Sequence, residues 1–114
     1  MNGVYISFYL KANRVHIFVE ALRSMGSPER IRFLISKDGR ILLIQPYGKR
    51  GFTSHMIPRE VYDGKRPLEI SSYKLCTILA EFHGWDLGCS YRVPGRIAAD
   101  TRSALFFLDK AEAI

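Results

Sequence analysis

The sequence predicts a β-rich α+β fold in which two β-α-β-β units close on each other as one barrel with an internal pseudo-two-fold. Three observations carry this reading. Alternating apolar runs mark strands, a short helical stripe follows a strand in each half, and a glycine ends each stripe before a pair of extended segments. At 114 residues the chain suits a single domain, because a unit of about 45 residues buries too little surface to be stable alone. We therefore expect one domain over 1–114, with a first repeat at about 3–46, a basic linker at about 47–67 and a second repeat at about 68–112.

Each element has a local cause. Val4, Ile6 and Phe8 alternate with Tyr5, Ser7 and Tyr9, as in a strand with one face on a core. Lys11-Ala12-Asn13 interrupts it, and Arg14 to Phe18 resumes an extended, β-branched pattern. Val19, Leu22 and Met25 then fall at helical spacing, with Gly26 as a stop and Pro28 beyond it. Ile31–Ile35 and Ile41–Ile44 flank Ser36-Lys37-Asp38-Gly39-Arg40, which predicts a hairpin with a type I′ turn, since that turn needs positive φ that glycine accepts cheaply. Pro46 ends it. The stretch from Tyr47 to Pro67 is turn-rich and basic, with a short edge strand near His55-Met56-Ile57 and little core of its own.

The second half repeats the order. Leu68-Glu69-Ile70 reads as a strand and Ser71 or Ser72 as an N-cap. Leu75, Ile78, Leu79 and Phe82 form an apolar stripe at i, i+3, i+4, i+7, closed by Gly84. Trp85, just past that stop, is expected to fold back into the core. Tyr91-Arg92-Val93 and Ala104–Leu108 read as two strands joined through Pro94-Gly95-Arg96 and a polar loop.

Composition bounds the function. Lysine and arginine number 17 against 11 acids, giving a net charge of +6, which suits a phosphate-rich partner. No apolar run reaches the roughly 18 residues of a membrane span, and no basic segment precedes the first apolar run as in a secretory leader, so we expect a cytoplasmic protein without membrane contact. Cys76 and Cys89 cannot frame a disulfide scaffold, and Cys76-x6-His83-x5-Cys89 has no zinc spacing, so neither metal nor cofactor is expected. His16 sits on an apolar strand and reads as structural. Gly-rich phosphate loops, Gly-x-Ser-x-Gly and His-Glu-x-x-His do not occur, and no catalytic residue is assigned. Tyr5 and Tyr9 face away from the expected core and point to a homodimer interface. Tyr47, Phe52 and Tyr62 lie among the linker cations Lys49-Arg50 and Lys65-Arg66, where packing onto the barrel competes with stacking on bases.

The segment Asn13-Arg14-Val15-His16-Ile17-Phe18-Val19-Glu20-Ala21-Leu22-Arg23-Ser24-Met25-Gly26 resembles the core motif of the AbrB/MazE/SpoVT swapped-hairpin family. The likeness covers about residues 4–46 and is weaker in the second half, as in a MraZ-like duplicated chain. Asn13 stands where the family has glycine, Phe18 where it has proline, and Ser27-Pro28-Glu29 where Gly-Asp often precedes the hairpin. The resemblance implies an AbrB-like barrel and a non-enzymatic DNA-binding transcriptional regulator of bacterial or phage type. By position it puts Arg14 and Arg23 nearest the DNA, with Lys11 in the adjoining loop and Ser72 and Lys74 at the second half's equivalent place. Charge adds Lys49, Arg50, Arg92 and Arg96 as nucleic-acid contacts. The alternative is a protein-interaction module, antitoxin-like or a scaffold, that keeps the barrel without binding DNA. One feature separates them: DNA binding calls for Arg14, Arg23 and Arg92 or Arg96 on one continuous face.

Overall fold

The computed structural model describes residues 3–48 and 54–114. The strands among them are β1 (Val4–Tyr9), β2 (Arg14–Ile17), β3 (Arg30–Ile35), β4 (Ile41–Pro46), β5 (Ser54–Met56), β6 (Leu68–Ser71), β7 (Ser90–Ala98), β8 (Ser103–Phe107) and β9 (Glu112–Ala113). The α-helices are α1 (Val19–Ser24), α2 (Arg59–Tyr62) and α3 (Tyr73–His83). One sheet runs in the order β5-β3-β4-β8-β7-β1-β2-β6, with β9 added on β7, and its pairings are antiparallel. The sheet curls so far that its two ends, β5 and β6, line a common cleft. The result is a β-rich half-barrel with few helices.

Alternation decides which way each strand faces. Ile6, Phe8, Val15, Ile17, Ile31, Leu42, Ile44, Val93, Ala104 and Phe106 point inward and are fully buried. The concave side is closed by Ala21, Leu22 and Met25 from the α1 segment, Val61 from α2, and Cys76, Leu79 and Ala80 from α3, all in the same core. Burial of each large aliphatic side chain contributes about 1.5–3 kcal/mol, which is what holds helices as short as α1 in place.

Local signals explain the joints. Asn13 takes the left-handed conformation, φ 53°, and its N–H bonds Leu10 O at the end of a 3₁₀ turn, Leu10–Ala12. Ser72 caps α3 by accepting from Leu75 N at 3.2 Å, and Gly84 ends it at φ 66°. The hairpin turn differs from the expected type I′. Among its described residues only Gly39 has positive φ, because Asp38 Oδ1 accepts from Ser36 Oγ and Arg40 N and holds the preceding residues in ordinary conformations.

Four further expectations change. The 47–67 stretch does supply core: α2 forms behind Pro58, its Val61 is fully buried and Ile57 nearly so. Pro94-Gly95-Arg96 does not link two strands but lies inside β7. Pro94 falls between the residues that pair β9 and those that pair β8, and Gly95 lets the Leu105 backbone approach where a Cβ would collide with it. The stripe expected to bury α3 is rotated. Cys76, Leu79 and Ala80 face the sheet, while Ile78 and Phe82 are 44% and 62% exposed. Finally, Tyr9 is half-buried with its ring 4.7 Å from that of His16, so Tyr5 alone of the tyrosine pair is open, at 47%.

Candidate nucleic-acid interface

The outer face of β7, β1 and β2 gathers Arg14, Arg92 and Arg96 of the predicted cations. Register builds it strand by strand. Arg92 lies opposite Ser7, Ser7 opposite His16, and His16 opposite Glu69 on β6. One row along, Tyr9 lies opposite Arg14, and in the other direction Pro94 opposite Tyr5. Arg96 follows on β7 opposite Leu105. Arg92 and Arg96 are four residues apart, so about 13 Å along the strand. Arg14 is two strands and two residues from Arg92, about 12 Å away by strand spacing. Both separations are close to the major-groove width of about 12 Å.

The side chains on and beside this face differ in how free they are. Lys11, Arg92 and Arg96 are exposed and have no ion pair among the described residues. The Arg92 guanidinium lies 5.6 Å from the Tyr5 ring centre, a cation–π contact at an exposed site. Arg14 is engaged: its Nη1 is 2.5 Å from Glu69 Oε2, while His16 Nε2 is 2.9 Å from Glu69 Oε1. The bond from His16, together with the nearby charges of Arg14 and His16, lowers the Glu69 carboxyl below its ordinary value. Ser7, although it points outward, is 2% exposed beneath these longer side chains.

Arg23 is elsewhere. It stands on α1, on the helix side of the sheet, and its Nη2 donates to Tyr62 O at 2.7 Å, tying α1 to α2. Tyr62 in turn donates its hydroxyl to Pro28 O, and burial pushes its pKa up to about 12. Arg66 lies 3.9 Å from Glu60 on α2. Lys49 and Arg50 fall outside the described residues. The structure thus brings Arg14, Arg92 and Arg96 onto one face, leaves Lys11 in the turn that joins β1 to β2, and separates Arg23 from them.

Among the remaining candidates, Cys76 is buried and its thiol pKa is raised by that burial; His83 Nε2 bonds Gly39 O at 2.9 Å. No three His, Cys, Asp or Glu side chains gather for a metal among the described residues. Trp85 packs at the core's edge, its ring 5.5 Å from Phe8 and stacked 4.9 Å from Tyr91.

Sequence reasoning missed Glu69 as the partner of Arg14, because 55 residues separate them and only the β2–β6 pairing joins them. It also missed a cleft of about 320 Å³ beside Arg92, walled by Tyr5, Phe18 and Glu20. No family model, curated protein or solved structure matches this chain.

Proposed function

We propose that this chain is a non-enzymatic nucleic-acid-binding module, a transcriptional regulator of AbrB-like type, that holds DNA on the outer face of β7, β1 and β2. The observation that carries the reading is the shared placement of Arg92 and Arg96, without ion pairs among the described residues, with Arg14 beside them and Lys11 in the adjoining turn, in a chain of net charge +6. Phosphate neutralisation by such side chains releases counterions and supplies affinity without a catalytic group. Two features support the swapped-hairpin assignment. With β1 set aside, each half runs β-α-β-β (β2-α1-β3-β4 and β6-α3-β7-β8), β2 pairs with β6 and β4 pairs with β8. Asn13 also adopts the left-handed conformation that suits the family's glycine at that position.

A second reading, the protein-interaction module, is favoured because Arg23 does not share the face of Arg14, Arg92 and Arg96 that DNA binding was expected to call for. Arg14 and Arg23, the two arginines that match the family, are both engaged within the molecule. Fluorescence anisotropy with random-sequence duplex DNA at two salt concentrations separates the readings. Salt-sensitive binding that is lost in Arg92→Ala/Arg96→Ala and retained in Arg23→Ala supports the DNA-binding module. Absence of binding even at low salt overturns it in favour of the second reading.

A further inference from the structure

The two ends of the curled sheet meet at an open seam. On one side of the half-barrel β1 is paired on both of its edges, with β7 and with β2. On the other, β5 pairs with β3 and β6 pairs with β2, and no ladder joins β5 to β6 among the described residues. Instead they wall a cleft of about 390 Å³, with His55 and Met56 on one bank and Leu68 to Ser71 on the other. Unpaired strand edges are templates for a further strand, and native proteins ordinarily cover or blunt them.

The chemistry of the seam differs by depth. On its inner side the cleft adjoins a groove of about 240 Å³ formed by Phe33, His55, Leu75 and Ile78. This groove is where the α3 rotation leaves its apolar residues: Ile78, 44% exposed, has no place in the sheet-facing row. On its outer side the charged groups are Arg66 and Glu69, with Lys74 at the groove's mouth. Glu69 is already engaged by Arg14 and His16, whereas Lys74 has no ion pair among the described residues. Arg66 is only loosely held, 3.9 Å from Glu60. The seam therefore offers main-chain edges, an apolar interior and a cationic rim.

We propose that the β5–β6 seam binds an extended acidic peptide from a protein partner, which adds a strand along β6. In an extended chain alternate side chains face opposite ways, so apolar residues would enter the groove between Phe33 and Ile78 while acidic ones meet Arg66 and Lys74. Main-chain hydrogen bonds to the β6 edge give affinity, and the alternation gives specificity. The proposal does not depend on the DNA reading, although the seam and that face adjoin at Glu69, the partner of Arg14 and His16.

The test uses the whole chain and three fluorescein-labelled seven-residue peptides: one alternating Glu with Val and Leu, one of the same composition with its apolar residues in a block, and the alternating peptide N-methylated at every second amide. The alternating peptide is expected to bind saturably and at least tenfold tighter than the other two. Ile78→Glu, a change at an exposed position, weakens it at least tenfold, and backbone amide signals of Glu69 and Ser71 shift on titration with the wild type. Equal binding of the N-methylated peptide overturns strand addition. Equal binding of the blocked peptide overturns the alternation, and failure of the alternating peptide to bind overturns the whole proposal.

Discussion

Replacing Glu69 with glutamine removes the charge that holds Arg14 at the edge of the proposed DNA face. Glu69 holds Arg14 at 2.5 Å and His16 at 2.9 Å, and the substitution keeps its size while removing the charge. In the wild type, Arg92 and Arg96 on the face and Lys11 in the adjoining turn have no ion pair among the described residues. At about 0.9 per phosphate contact, three contacts give a slope of log K against log salt near about −2.7, and release of Arg14 steepens it to about −3.6. Between about 50 and about 200 mM salt the wild type then weakens about 40-fold and the variant about 150-fold. Anisotropy titrations with a random duplex at four salt concentrations read both slopes. Glu81→Gln makes the same change in net charge on an exposed position of α3 and is expected to leave the slope at its wild-type value. Equal slopes for wild type and Glu69→Gln, or an equal steepening by Glu81→Gln, would refute the reasoning: the first denies that Arg14 reaches phosphate, the second reduces the effect to overall charge.

Other consequences concern stability. Gly95→Ala sets a methyl against the Leu105 carbonyl and the Phe106 ring, and overpacking of this kind costs about 1–3 kcal/mol, read as a lower urea midpoint at unchanged m. Asn13→Ala removes the short polar side chain that lets asparagine tolerate the left-handed region, at a cost of up to about 1–2 kcal/mol, whereas Asn13→Gly is expected to stay close to wild type. Burial, and then the charge of Arg30, lower the pKa of His55 below its ordinary 6.5. The unfolded chain therefore takes up a proton that the folded chain does not, so stability is full above that value and falls as pH drops through it. Urea midpoints at about pH 7.5 and about pH 5.5 are expected to differ less in His55→Gln than in wild type.

What could be read from the sequence was governed by distance along the chain. The Asp38-Gly39 hairpin, the Ser72 cap and the Gly84 stop are decided by a few adjacent residues, and each lies where those residues put it. The face of α3 is decided by what it packs on. Leu75, Ile78, Leu79 and Phe82 make a good stripe, yet Cys76-x2-Leu79-Ala80-x2-His83 has the same period and smaller side chains. The smaller row lies against a sheet whose interior is already filled by Phe8 and Phe106, so close approach selects it over hydrophobicity. Phe82 is left to cover the Gly39 turn, so tightly that a Cβ at Gly39 would strike its ring. Likewise, Arg14 and Arg92 were visible as charges. Whether they share a face depends on β1 pairing with both β7 and β2, which no local pattern encodes.

Strand length links the two surfaces. β1 has six residues, about 20 Å of extended chain, and spans enough of β7 and β2 to lock them into one continuous face. β5 has three residues, about 10 Å, and its pairing is used up on β3. The side closed by β1 thus carries its cations on a rigid ladder, where fixed spacing favours a repeating polyanion. The side left by β5 has two edges with no partner strand between them among the described residues, where the proposed peptide would gain main-chain bonds that a closed barrel would already have made. A longer β5 able to pair with β6 would remove the seam without touching Arg92 or Arg96, so the two proposed binding properties are separable by design. Extending the strand should abolish peptide binding and leave the salt dependence of DNA binding unchanged.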